Sequence, residues 1–305
     1  MSALQDFQFE ILPSVDATDG VVFGIHSNVS MNEDGFHPGS TDWATQDTPS
    51  GITGVTRFGR DLLLGPVWAW DLHVNRDEVD NALESLAEHA SAWRWLQGRN
   101  SPGEVTAIRY RLAGRERRIY GRPQKHEGSP NNLILSGYVD VTCDFQATDG
   151  FTYDDEPTGT ILTLGAADED TVSGGGLTFP AVLPTNALVA TETAETLSVG
   201  GDAPAHAVYR LNGPWTSPSV YTDDWTLSLP DYTIPEGQFV EIDTRPWART
   251  VLLNGVASVG GKLGRRQKLY KATLQPGDFE VRIGGFSPTG TATCQISWRN
   301  TYNSI

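Results

Sequence analysis

The sequence predicts a mostly β chain in two domains, with one α-helix in the first and a two-sheet sandwich in the second. Three observations carry this. Glycine and proline, 32 and 18 of 305 residues, punctuate short segments that alternate apolar and polar side chains, the two-residue period of a strand with unlike faces. One segment keeps an apolar spacing of three and four residues instead. The composition shifts most around Thr148 to Gly176, where Asp149, Asp154-Asp-Glu156 and Asp168-Glu-Asp170 precede three consecutive glycines. That shift puts a domain boundary near residue 150, an acidic, Gly-rich linker or arm over 151–176, and a second domain over 177–305.

In the first domain, Phe7–Leu12 and Val21–Ile25 read as strands, and Met31–Ser50 as a long surface loop rich in Gly, Asp, Asn, Ser and Pro. Trp68, Trp70, Leu72 and Val74 fall on one face of a strand whose other face carries Ala69, Asp71 and His73. The helix follows over about 76–97. Asn75 with Glu78 three residues on has a capping-box arrangement. Val79, Leu83, Leu86, Ala90 and Trp93 form its apolar stripe, and Gly98 and Ser101-Pro102-Gly103 end it. Such a helix covers an open sheet. Val105–Leu112 and Arg117–Arg122 then make a hairpin turning at Ala113-Gly114-Arg115-Glu116, and Leu133–Phe145 is a long alternating strand.

The second domain reads as all β. Its strands are Thr196–Val199, Ala205–Asn212, Trp225–Leu229, Phe239–Thr244, Thr250–Leu253, Leu269–Leu274, Phe279–Ile283 and Thr291–Trp298. Gly237–Gly255 shows the logic at its plainest. Phe239, Glu241 and Asp243 alternate with Val240, Ile242 and Thr244. Pro246 fixes its own φ and turns a corner, and Asn254-Gly255 tolerates the positive φ of a tight hairpin. Pro276-Gly277 fits the centre of a type II turn.

Charge and composition narrow the function. A net charge of −16 argues against nucleic acid as the default ligand. No basic-then-apolar leader and no run of about 18 apolar residues is present, so neither a signal peptide nor a membrane span is expected. Cys143 and Cys294 each fall on the apolar face of an alternating segment, where reduced core thiols belong.

No catalytic, cofactor or metal residues are assigned. Paired carboxylates could do hydrolytic work, but Asp223-Asp224 and Asp154-Asp155-Glu156 lie in polar, turn-like surroundings and read as solvated acids. The six histidines, at 26, 37, 73, 89, 126 and 206, show no ligand spacing. Asp168–Asp170 followed by Gly174 lacks the full ligand order of a calcium loop. Gly255 and Gly260-Gly261-Lys262 miss a phosphate loop, because Leu263 stands where a hydroxyl is required.

Two features stand out as possible contact surfaces. Between Arg109 and Lys125 there are seven basic residues and one acid, in a chain that is acidic elsewhere. The ordinary reading is a solvated edge whose charge discourages strand pairing. The functional one is a contact with an acidic neighbour, possibly another copy of this chain, through Arg109, Arg111, Arg117 and Arg118. Trp215, Trp225 and Trp247 lie near turns and could stack on sugars, although tryptophan serves packing more often.

Asn212-Gly-Pro-Trp, Gly237-Gln-Phe-Val-Glu-Ile-Asp-Thr, Arg249-Thr-Val-Leu-Leu-Asn-Gly, Leu274-Gln-Pro-Gly and the Trp298 strand, in this layout, resemble the distal tail (minor tail) proteins of siphophages, the bacteriophages with long non-contractile tails. Gly65-Pro66, the tryptophan strand and Asn75-Arg-Asp-Glu are a weaker N-terminal echo. The resemblance implies an N-terminal β domain, split-barrel or sandwich-like with one α-helix, that forms a six-membered ring. It implies a galectin-like β-sandwich outside that ring. It implies a structural, non-enzymatic virion component, assembled in the host cytoplasm, with no cofactor. The implied partners are further copies of itself, the tail tube protein, the tail-tip or hub protein and the tape measure protein. The alternative is a carbohydrate-binding adhesin module on the same sandwich, with a glycosidase third.

Overall fold

The structure, a computed structural model, describes residues 3–40, 43–45, 47–49, 56–58, 62–76, 78–94, 105–129, 132–165 and 191–304. The chain divides into two compact units, Met1–Asp155 with Tyr302–Ile305, and Glu156–Thr301. It is mostly β, and among the described residues no helix is long and apolar enough to cross a membrane.

The first unit runs β1 (Gln8–Leu12), β2 (Val21–Gly24), β3 (Val29–His37), β4 (Trp43–Ala44), β5 (Thr48–Pro49), β6 (Thr56–Arg57), β7 (Leu62–Leu63), β8 (Val67–Asn75), α1 (Val79–Trp93), β9 (Thr106–Leu112), β10 (Arg115–Ser129), β11 (Tyr138–Ala147) and β12 (Thr152–Asp154). Its main sheet has the order β2-β1-β9-β10-β11-β8-β3, with β12 on β10. The pairings along this order, and that of β12 with β10, are antiparallel.

The alternation along β8 does what it promises. Trp68, Trp70, Leu72 and Val74 are buried while the residues between them are not. With Phe9, Phe23, Phe36, Tyr110 and Trp93 they form an aromatic core. Phe23 meets the edges of Trp70 and Trp93 at 5.5 and 5.7 Å between ring centres.

Helix α1 starts later than its capping signal predicts. Asn75 is still in the ladder, opposite Tyr138, and the Arg76 amide donates to Gly137 O, so the chain cannot coil before residue 78. Glu78 is the N-cap and makes no side-chain cap bond; the helix is described to Trp93, and residues 95–97 lie outside the described residues, as do Ser101, Pro102 and Gly103. Its buried face is also rotated from the predicted stripe. Ala82, Ser85, His89 and Trp93 point inward, and Leu83 is exposed. Small side chains at 82 and 85 allow close approach to the sheet, and a buried Ser and His do not register in a purely apolar pattern.

Other sequence expectations shift for local reasons. Residues 31–37, the start of the predicted Met31–Ser50 loop, belong to β3 along β8, with a register shift between Met31 and Phe36. The predicted strand from Leu133 begins as a 3-10 turn, Asn132–Ser136, before β11. The β9–β10 turn is two residues, Ala113 and Gly114, with φ of 49° and 75°, the double positive φ that suits the twist of a tight hairpin. Residues 151–163, read as linker, are largely strand: β12 belongs to the first unit and β13 to the second. Residues 166–190, with the Asp168–Asp170 run, Gly174 and the triple glycine, lie outside the described residues.

The second unit is a two-sheet sandwich. It comprises β13 (Thr158–Thr163), β14 (Thr191–Val199), β15 (Ala205–Asn212), β16 (Trp215–Tyr221), β17 (Thr226–Ser228), β18 (Thr233–Ile234), β19 (Phe239–Asp243), β20 (Thr250–Leu253), β21 (Ala257–Ser258), β22 (Thr273–Leu274), β23 (Gly277–Phe286) and β24 (Thr293–Trp298). One sheet is ordered β13-β24-β15-β19-β20-β21 with β22 on β15, the other β14-β23-β16-β17 with β18 on β16. Tyr209, Leu211, Val240, Ile242, Cys294 and Ile296 from the first meet Trp215, Val220, Leu227, Val281 and Ile283 from the second in one core. Asn254 and Gly255 take φ of 51° and 73° at the turn after β20, as the sequence predicts. Leu269–Lys271 is a 3-10 turn where a strand was predicted, and β16 is a strand the pattern does not show. Cys143 and Cys294 are free, buried thiols.

Candidate functional site

The basic hairpin is the most unusual charge feature of the sequence, and its side chains divide sharply in the structure. On one face, Glu10, Arg109 and Arg118 stand in a row across β1, β9 and β10, because Glu10 pairs with Arg109 and Arg109 with Arg118 in register. Two arginines directly opposite on one face repel unless countered. Asp155, just past β12, supplies the counter-charge. Arg118 donates to it from Nε at 3.0 Å and Nη2 at 2.7 Å, and Arg109 Nη1 lies 3.5 Å from its other oxygen. Arg109 also pairs with Glu10 through Nη2, and Glu10 accepts from the Gly20 amide at 2.6 Å. All four side chains are at most 4% exposed.

Arg117 is buried too. It donates to Ser304 O at 2.7 Å and to Thr152 Oγ1 at 3.3 Å, and its guanidinium sits 3.9 Å from the Tyr302 ring centre. The expected contact surface is therefore corrected. Arg109, Arg117 and Arg118 are interior residues whose charges are met within the unit. Arg111 stays at the surface, bonded to Glu116 at 3.2 Å and near Asp6 at 3.4 Å, and Arg115 is exposed at the hairpin tip. Asp155 is corrected with them, from solvated acid to the centre of a buried ion cluster. Asp223 and Asp224 are solvated, as expected.

The tryptophans divide in the same way. Trp215 is fully buried, and Trp225 is 8% exposed with Nε1 donating to Thr273 O at 2.9 Å. Both are core residues and present no ring face to a sugar. Trp247 is half-buried, with the Arg245 guanidinium 5.8 Å from its ring centre.

Two features escape sequence reading. His89 on α1 and His126 on β10 are joined through Nδ1 and Nε2 at 3.0 Å. Burial, then the neighbouring His126, lowers the pKa of His89 to about 3, so the pair is neutral near pH 7. Among the described residues no three His, Cys, Asp or Glu side chains gather as a metal site. The second feature is an apolar groove of about 450 Å³ between β1, β2 and α1, lined by Ile11, Leu12, Pro13, Val21 and Ala92 with Glu88 and Ser91 on the helix side. Its walls come from residues 11 to 92, so no local pattern announces it.

The fold is similar to that of solved components of phage adsorption machinery. One is the SPP1 Dit protein, described as a paradigm of the hub adsorption apparatus of phages infecting Gram-positive bacteria. It matches over 96% of this chain and 98% of its own, at 13% identity and a TM-score of 0.52. A chain of the phage P2 baseplate, in its activated conformation with calcium, matches over 92% of this chain and 99% of its own, at 12% identity and a TM-score of 0.50. No family model and no curated protein sequence matches the chain.

Proposed function

We propose that this chain is a distal tail protein of a siphophage: a structural virion component that assembles with copies of itself into a ring, six-membered as the family resemblance implies, between the tail tube and the tail tip. The observation that carries this reading is the extent of the fold correspondence. The similarity covers 96% of this chain and 98% of the SPP1 Dit chain, at a TM-score of 0.52. Its partners would be its own copies, the tail tube protein, the tail-tip or hub protein and the tape measure protein. It would act without turnover of a substrate or a cofactor. The carbohydrate-binding alternative is weakened, since two of its three candidate rings lie in the core.

Solution mass followed by imaging tests the reading. Closed rings of a single defined stoichiometry are expected. A chain that stays monomeric at high concentration, and does not bind purified tail tube protein, overturns it.

A further inference from the structure

Between Asp243 and Asp278 the sequence holds seven Lys and Arg residues and no acid, in a chain of net charge −16. Five of the seven, Lys262, Arg265, Arg266, Lys268 and Lys271, fall within ten residues on the loop from β21 to β22, and all five are exposed. Arg109, Arg118 and Arg245 meet carboxylates inside their own units, whereas none of these five forms an ion pair among the described residues. Like charges crowded together without counter-ions repel, so they add nothing to the stability of the sandwich.

The loop is nonetheless a built surface. Gln267 ties it to β17: its Oε1 accepts from the Ser228 amide at 2.7 Å, and its Nε2 donates to Ser228 Oγ at 2.6 Å. The Gly264 amide donates to Ser228 O at 2.9 Å. Two 3-10 turns, Gly260–Lys262 and Leu269–Lys271, and Arg266 at φ 72° shape the chain around those ties, and Leu263 and Leu269 pack against the core. Tyr270 stays 46% exposed, with Lys268 Nζ 5.7 Å from its ring centre. An exposed ring beside an ammonium can stack on the C–H face of a sugar while the cation meets an anionic group that the sugar carries.

We infer that the 262–271 loop binds an acidic polysaccharide, with Tyr270 against a sugar ring and Lys262, Arg265, Arg266, Lys268 and Lys271 against the anionic groups along the polymer. Lysine is depleted at contacts between proteins, and three of the five cations are Lys. A DNA duplex carries one charge per about 1.7 Å, so a net charge of −16 opposes it more than a polymer whose charges are a whole sugar apart. Tyr270 offers the exposed ring that the buried Trp215 and Trp225 cannot. The site does not depend on ring formation.

The test is calorimetric titration of the full chain with polygalacturonate, which carries one carboxylate on each sugar. Binding that weakens by about tenfold or more between low and high salt, about 0.05 and 0.3 M, is expected. Arg265→Ser with Lys268→Ser and Lys271→Ser should weaken it by about tenfold, roughly two- to threefold for each exposed contact. Tyr270→Ala should weaken it by about threefold or more. Arg115→Ser with Lys125→Ser, exposed cations of the first unit, should leave it within about twofold. All these positions are exposed, and unchanged circular dichroism spectra check the fold. Methyl-esterified polygalacturonate keeps the sugars without the charge and should not bind. Poly-L-glutamate keeps the charge without the sugars and should bind about threefold more weakly or worse. No binding at low salt, an unchanged affinity in the triple variant or in Tyr270→Ala, or poly-L-glutamate or single-stranded DNA held as tightly as polygalacturonate would each overturn the site and leave the ring reading standing. Loss of rings in the triple variant would assign the loop to a contact between copies and overturn the site as well. A native chain that binds the polymer and never forms rings overturns the ring reading alone.

Discussion

Arg118 holds Asp155 through two donors on one carboxylate oxygen, Nε at 3.0 Å and Nη2 at 2.7 Å, with both side chains 2% exposed. Asp155 is the last residue of the first unit's long N-terminal segment, Met1–Asp155. It also makes the sheet face tolerable, because Arg109 and Arg118 are cross-strand partners and this carboxylate neutralises the repulsion between them. Asp155→Ala removes the buried carboxylate that Arg118 and Arg109 share. Breaking a buried pair from one side costs roughly 3–5 kcal/mol. Chemical denaturation followed by tryptophan fluorescence should show a loss of that size in the first unit, against about 0.5 kcal/mol or less for the exposed neighbour in Glu156→Ala.

Acid should loosen the helix from its sheet. Folded His89 takes a proton only near pH 3, because burial and His126 oppose the charge, while the unfolded chain takes one near 6.5. The unfolded state therefore binds more protons throughout that window. The stability contributed by the neutral ring is fully present above pH 6.5 and is lost as pH falls towards 3, by up to about 4–5 kcal/mol. Denaturant midpoints between pH 7 and 4 should fall for the native chain. They should fall less steeply for His89→Phe, which keeps the stacking partner of Trp93 and removes the titration.

What the sequence revealed follows how local the physics is. The β8 alternation, the Asn254-Gly255 turn and the sandwich strands β15, β19 and β20 are set by neighbours a few residues apart, and they read correctly. Arg109 and Arg118 do not, because an arginine at alternating positions looks like a solvent face until its counter-ion is found. For Arg109 one of those counter-ions, Asp155, is 46 residues away. Strand β16 was hidden by Pro214 and Pro218. Pro218 sits where the pairing with β23 slips between Thr216 and Ser219, with Ser217 at φ 49°, one of the few places a strand accepts proline. The groove needs β1 and β2 to meet a helix about 70 residues further on, and left no local pattern to find.

The tryptophan substitutions separate core from surface. Trp215→Ala removes a fully buried ring from between the two sheets and should cost about 3–5 kcal/mol in thermal or chemical unfolding. Trp247→Ala removes a half-buried ring beside Arg245 and should cost about 1 kcal/mol or less. Glycan binding by the native chain that Trp247→Ala abolishes without loss of stability would revive the carbohydrate-binding alternative.

Charge reversal in the basic hairpin divides along the line of burial. Arg109→Glu sets a third carboxylate beside Glu10 and Asp155 with no water to screen it, and should unfold the first unit, a loss above about 4 kcal/mol. Arg117→Glu should act likewise by breaking the contacts to Ser304 O and Tyr302. A loss of assembly in either variant would therefore report on folding and not on a contact between copies. Arg115→Glu changes an exposed tip and should leave stability within about 0.5 kcal/mol. If an acidic neighbour meets the hairpin tip, this variant alone lowers the assembled fraction while its melting curve stays in place. It should do so more at low salt than at high salt, because an exposed contact is screened within about 10 Å at 0.1 M. Sedimentation of Arg115→Glu at two salt concentrations measures this, and unchanged assembly at both would remove the hairpin tip from the contact.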